Sequence, residues 1–271
     1  MIRRLVTGLL FSSLLLACSR NAVTGRNQLK LIPESDLQNM AQQQYAQFLS
    51  TNKVVSSSNN RDADMVNRVG QRITRAVTDY YASKGLSKQL EGYHWEYHLV
   101  DDKAVNAWCM PGGKIVVYTG LLPITQNEAA LAFVMGHEVS HAIFQHGNER
   151  MSQQLGAEIV GAGLSVALSS RPQETQNVFN AAYGVGTTVG LLLPFSRKHE
   201  SEADHYGLIW AAMAGYNPRE AIPLWQRMQA ASTGNKAPEF LSTHPSDESR
   251  IQQMEKFMPE ALQYYKPISG R

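Results

Sequence analysis

Cysteine is nearly absent: the 271-residue chain has two, Cys18 and Cys109. Two thiols cannot staple a disulfide scaffold or fill a Cys-rich zinc module. An excess of one charge is also lacking. The 25 basic and 23 acidic side chains leave a net charge of +2, and no Lys/Arg run forms a basic stripe. That excludes a dedicated nucleic-acid binder. No internal repeat is visible. With 43% hydrophobic and 18% charged residues, the chain reads as globular rather than disordered. Its length suffices for one large domain or two small ones with a sizeable core.

What is present begins at the N-terminus. Arg3 and Arg4 precede an apolar stretch, Leu5 to Leu16, of signal-peptide length and too short to span a bilayer comfortably. It ends in Leu15-Leu16-Ala17-Cys18, which resembles the lipobox of bacterial lipoproteins. Residues 1–17 are therefore expected to be a cleaved lipoprotein signal peptide, with Cys18 lipidated. Acyl chains there would anchor the protein without a spanning helix. Ser19, rather than Asp, follows the cysteine and resembles the outer-membrane sorting pattern. The expected location is the periplasmic face of a bacterial outer membrane. Cleavage removes two arginines and no acid, leaving 23 basic against 23 acidic side chains. Residues 18–32 read as an extended, lipid-anchored segment and residues 33–271 as a single domain. Cys109, between Trp108 and Met110, reads as a small core residue.

Helix signals dominate the rest. Residues 33–50 start with Pro-Glu-Ser-Asp, a helix-start composition. Met65, Val66, Val69, Ile73 and Val77 recur at helical spacing. Residues 94–100 and 114–119 read as strands around the turn Pro111-Gly112-Gly113. Thr125-Gln126-Asn127-Glu128 matches a capping box with Thr125 as N-cap, opening a helix through about residue 146. Further helices are expected near 154–170, 175–193, 196–214, after Asn217-Pro218, and over 246–257. The stretches 155–169 and 178–195 are unusually apolar, and Gly186 and Gly190 form a GxxxG. Glu158 and the short first stretch favour a helical hairpin over a membrane span. The expected fold class is α+β, mainly helical, with one small sheet.

The chemistry sits in the capped helix. His137-Glu138-Val139-Ser140-His141 is HExxH. Residues i and i+4 share a helical face, so two imidazoles can reach one zinc ion at roughly 2.0–2.1 Å. Glu138 lies beside them, placed to take a proton from a zinc-bound water whose pKa falls to about 7. A histidine-only site of the form HExxHxxGxxH is not met, because Phe144 and Gly147 stand where its glycine and third histidine belong. His146 misses by one and reads as structural or solvent-facing. A carboxylate can complete the set instead. In His199-Glu200-Ser201-Glu202-Ala203-Asp204, Glu200 and Asp204 share a face and Glu202 points away. Glu200 can be the third ligand, and Asp204 can orient a ligand histidine through its ring N–H. One zinc ion per chain is expected.

HExxH with ExxxD, preceded by Ser196-Arg197, resembles the membrane-associated zinc metallopeptidases. These include the CAAX prenyl endopeptidases, HtpX-like heat-shock proteases and the small BepA-like and LoiP-like periplasmic lipoprotein proteases. The segments Val105-Asn106-Ala107, Pro111-Gly112-Gly113 and Val117 to Leu122 are similar to the family's edge strand and following turn. Thr243-His244-Pro245 with Arg250 resembles its C-terminal HPxxxxR element, and residues 21–26 resemble the segment after the lipidated cysteine. The resemblance implies a zincin-type core whose small sheet borders the cleft. It implies an endopeptidase that cleaves unfolded or misassembled envelope proteins, with the outer-membrane assembly machinery as a partner. A chaperone-like assembly or quality-control factor with latent protease activity is the alternative. His244 either caps the zinc as an inhibitory ligand or assists catalysis. Arg250 either stabilises the oxyanion or is a helix-surface cation. Asn106 and Ala107 are expected on the edge strand that takes extended substrate by main-chain pairing.

Overall fold

A computed structural model describes residues 18–161, 172–183, 196–232, 238–244 and 249–268. The signal peptide expected over 1–17 and most of the apolar 155–195 region, including Gly186 and Gly190, lie outside these residues. Among the described residues no helix is long and apolar enough to cross a membrane.

The architecture is α+β and mainly helical. The strands are β1 (Cys18–Arg20), β2 (Asn27–Leu29), β3 (Val54–Val55), β4 (Glu96–Val100), β5 (Ala107–Met110) and β6 (Lys114–Tyr118). The first helices are α1 (Glu34–Thr51), α2 (Arg61–Ser83), α3 (Leu122–Thr125), α4 (Glu128–Ile143) and α5 (His146–Gly161). They are followed by α6 (Pro172–Tyr183), α7 (Arg197–Met213), α8 (Ala221–Ser232), α9 (Glu239–Thr243) and α10 (Ser249–Tyr264).

β1 and β2 form an antiparallel hairpin at the N-terminal end of the described chain. The other strands make one sheet in the order β3-β4-β6-β5, with β4 and β6 parallel and both outer pairs antiparallel. The turn from β5 to β6 requires glycine. Gly113 has φ +84, and a Cβ there would stand 2.5 Å from the Trp95 ring. β6 is buried along its whole length, because both sheet faces are covered. Ile115 and Val117 join a core that includes Val66, Val69 and Ile73 of α2 and most of α4. Val116 and Tyr118 join a second core with Leu37, Ala41, Tyr45 and Phe48 of α1. Cys109 is buried in the first core with no disulfide partner, and burial pushes its thiol well up.

α10 runs on to Tyr264 rather than ending near 257, and two boundaries close to the site also differ from the sequence expectation. α4 is capped by Asn127, whose Oδ1 accepts the Ala130 N–H at 2.8 Å. Thr125 is not the cap. It ends α3, and Gln126 then turns through the left-handed region at φ 63. α4 also stops at Ile143 rather than 146. Gln145, at φ 55, breaks the chain there and His146 starts α5.

α4 and α7 pack backbone to backbone. A Cβ on Gly136 would lie 3.1 Å from Gly207 O, and one on Gly207 would lie 3.0 Å from His137 N. Only paired glycines allow this approach. Trp210 Nε1 on α7 donates to Ser140 Oγ on α4 at 3.0 Å, fixing the register of the two helices. The crossing brings Glu200 and Asp204 to the histidine face of α4.

Candidate metal centre and active site

α4 is buried from Ala130 to Ile143, so its two HExxH histidines project into the interior. Glu200 projects from the first turn of α7, which Ser196 caps by accepting the His199 N–H at 3.2 Å. His244 follows α9 directly, and its ring stacks on Phe240 with centroids 4.3 Å apart. All four side chains are buried, and one donor atom from each lies within 4.8 Å of the others.

The spacings test whether a metal fits. His137 Nε2 lies 3.0 Å from His141 Nε2, 3.2 Å from His244 Nδ1 and 3.6 Å from Glu200 Oε2. Glu200 Oε1 lies 3.3 Å from His141 Nε2 and 3.1 Å from His244 Nδ1. Tetrahedral bonds of roughly 2.0–2.1 Å to one ion put neighbouring donors about 3.3 Å apart. The observed edges match that figure. His137 Nδ1 lies 2.9 Å from Asp204 Oδ1. A proton on Nδ1 makes that bond and leaves Nε2 as a lone pair facing the other donors. Three imidazoles and one carboxylate converging in this way fit a zinc-type donor set.

Electrostatics agree with ligation. Burial drives His141 well below the usual histidine range, so its ring is neutral. Burial also works to raise Glu200, but His244 and Arg250 outweigh it and hold the carboxyl well below its ordinary value. His244 is raised: burial pulls it down, and Glu138 and Glu200 together outweigh that pull.

Glu138 is buried, and among the described residues its Oε1 has no hydrogen-bond partner; His244 Nε2 lies 3.4 Å from it. Burial raises its carboxyl above the usual range. A carboxyl held up in this way, one residue from a ligand, is suited to taking and returning a proton.

The remaining residues singled out from sequence are placed as follows. Asp204 supports His137, and Arg250 binds it in a fork, Nε to Oδ2 at 2.7 Å and Nη2 to Oδ1 at 2.8 Å. Arg250 Nη1 also lies 2.8 Å from Glu200 Oε2. The structure thus places Arg250 in the interior against two carboxylates, not on a helix surface. Ala107 opens β5, which borders β6 on one side only among the described residues. Asn106 precedes the strand; its Nδ2 donates to Glu239 Oε1 at 3.1 Å, and Val105 O accepts the Phe240 N–H at 3.0 Å. α9 therefore covers the start of this edge.

Sequence reasoning missed a second line of support. His146 is fully buried rather than solvent-facing, with its Nδ1 3.0 Å from His141 Nδ1. Its Nε2 lies 2.7 Å from Glu202 Oε2. Glu202 points away from Glu200, as its spacing indicates, yet it reaches the site through this extra ring.

Comparison with known proteins agrees with this geometry. The sequence model of peptidase family M48 matches residues 67–258. Among curated relatives, the mitochondrial metalloendopeptidase OMA1 of Schizosaccharomyces pombe is 36% identical over 190 residues, covering 70% of this chain and 53% of the relative. The mitochondrial metalloendopeptidase OMA1 of Danio rerio is 31% identical over 267 residues, covering 95% of this chain and 54% of the relative. The beta-barrel assembly-enhancing protease of Escherichia coli K12 is 32% identical over 162 residues, covering 58% and 33%. The chain thus spans about half the length of the first two and a third of the last.

Proposed function

The chain belongs to peptidase family M48, and on that premise we propose that it is a zinc-dependent endopeptidase acting on unfolded or misassembled polypeptides. The observation that carries this reading is the convergence of His137, His141 and Glu200 beside an unbonded, buried Glu138 oxygen. We further propose lipid anchoring at Cys18 and action at the periplasmic face of an outer membrane. The lipobox-like run before Cys18 and the likeness to a beta-barrel assembly-enhancing protease support this. They also support the outer-membrane assembly machinery as a partner.

When bound, zinc polarises the scissile carbonyl and lowers the pKa of a water to about 7. The chain supplies the rest. His137, His141 and Glu200 would hold the ion. Glu138 accepts the proton of the attacking water and returns it to the leaving amine. Asp204 and Arg250 keep His137 in the tautomer that ligates through Nε2. The outer edge of β5, past the start that α9 covers, would align extended substrate by main-chain pairing, which favours unfolded chains and weak sequence selectivity.

The test is digestion of a reduced, unfolded protein with and without a chelator. Cleavage is expected to vanish with chelator and to return on adding zinc. Cleavage that persists in metal-free protein overturns the reading. Suppressed aggregation of the client without any cleavage would favour the chaperone-like alternative.

His244 stands where it would take the fourth donor place, which a catalytic zinc site leaves open for water. The helix it follows also covers the start of the β5 edge. Both contacts support a latch. His244→Ala is expected to raise basal proteolysis several-fold in the same assay. A fall would make His244 a catalytic helper, and no change would sink both roles.

A further inference from the structure

Behind His141 lies a buried cluster of imidazoles and charges that the proposed chemistry does not use. Arg26, immediately before β2, donates Nε to Glu202 Oε2 at 3.0 Å. Its Nη1 donates to both oxygens of Glu149, at 2.8 and 2.6 Å. His199 Nε2 lies 3.1 Å from Glu149 Oε2, and the His199 ring stacks on His146 with centroids 4.5 Å apart and planes at 14°. The side chains of Arg26, Glu149 and Glu202 are 9%, 8% and 11% exposed, so this is an interior network and not a surface ion pair.

The proton positions along it follow from one requirement. If His141 ligates a metal through Nε2, its Nδ1 carries the proton and donates to His146 Nδ1, 3.0 Å away. His146 then carries its own proton on Nε2 and donates to Glu202 at 2.7 Å. Glu202 is left as an acceptor for Arg26. Every atom in the line has one consistent role. The arrangement parallels the other ligand, where His137 donates to Asp204 and Asp204 is gripped by Arg250. Each ligand histidine is thus backed by a carboxylate and an arginine, directly for His137 and through a second ring for His141.

We propose that Glu202 and Arg26, acting through His146, are positioning residues for ligand His141, so that docking of the N-terminal hairpin sets the affinity of the metal site. This rests on the metallopeptidase reading. It ties the segment next to Cys18 to the catalytic centre: a hairpin pulled off α5 and α7 would take Arg26 with it and loosen His141.

The test compares the full chain with Glu202→Gln, Arg26→Gln and Arg26→Lys. Zinc affinity is measured by competition with a chromophoric chelator, geometry by the cobalt(II) absorption spectrum, and fold by thermal unfolding of the metal-free forms. Outer carboxylates of this kind are typically worth about 10–100-fold in metal affinity. Glu202→Gln and Arg26→Gln are expected to lose affinity in that range, with an altered cobalt spectrum. Arg26→Lys is expected to fall between, because it keeps the charge but cannot bridge two carboxylates as a fork. A merely structural role would lower the metal-free midpoint yet leave affinity and spectrum at wild type, and that result overturns the proposal. A wild-type chain that binds no zinc overturns the metal-centre reading and this inference together. Equal affinities in wild type and variants overturn the inference alone.

Discussion

Glutamine at position 138 is expected to lower kcat on an unfolded substrate by about 10²–10⁴-fold, the usual worth of a general acid–base group. The amide has the carboxylate's shape but cannot accept a proton. Glu138 is buried, and among the described residues its Oε1 makes no hydrogen bond; His244 Nε2, 3.4 Å away, keeps an oxygen to face when the amide replaces the carboxylate, so the substitution keeps the shape of that contact and loses only its charge. It follows His137 directly on α4, so its backbone is fixed by the same helix that fixes the ligands. Zinc stoichiometry and thermal midpoint are therefore expected to stay at wild type while turnover falls. The readouts are a quenched-peptide assay for kcat and KM and metal analysis of the purified variant. Equal cleavage by Glu138→Gln would refute the assigned chemistry. Lost activity with lost zinc would show instead that Glu138 maintains the donor set.

How far the sequence shows this site depends on distance along the chain. His137, Glu138 and His141 fall within one helical turn, and Glu200 and Asp204 within another, so the i, i+4 rule places each set on a face. Nothing local says that the two faces meet. The Gly136–Gly207 contact that joins them becomes visible only once α4 and α7 cross. His146 reads from sequence as structural or solvent-facing, and only the fold decides between the two. Counted along a continuous helix it falls away from His137, but α4 ends at Ile143 and Gln145 turns left-handed, which swings His146 against His141. The start of α4 is ambiguous in sequence for a similar reason. Thr125 and Asn127 are both good caps, and the choice is made by α3, whose last residue Thr125 is. Arg26 is 176 positions from Glu202, and no periodicity links them. The buried β6 likewise shows no alternation, since α1 covers the face that a one-sided sheet would leave polar.

Arg250→Met is expected to cost about 3–5 kcal/mol of metal-free stability at neutral pH, the scale of breaking a buried ion pair by removing one partner. Arg250 is the cation between two buried acids. It forks onto Asp204 at 2.7 and 2.8 Å and lies 2.8 Å from Glu200 Oε2, with its guanidinium 3.7 Å from the Trp225 ring centroid. Methionine roughly fills the volume, so the loss is electrostatic rather than a cavity. Lysine at this position is expected to recover only part, because an ammonium cannot fork onto a carboxylate and stack on indole at once. The pH dependence has a definite sign. Glu200 is held well below its ordinary value in the folded chain, with Arg250 among the causes. A depressed carboxylate contributes stability above its unfolded pKa, about 4.3, and loses it as pH falls toward the folded value. The gap between wild type and Arg250→Met is therefore expected to be widest at pH 7 and to narrow below about pH 4 as Glu200 discharges in the variant. Denaturant unfolding of both metal-free proteins at the two pH values measures it. A gap under about 1 kcal/mol at pH 7 would mean that the two carboxylates do not depend on this guanidinium.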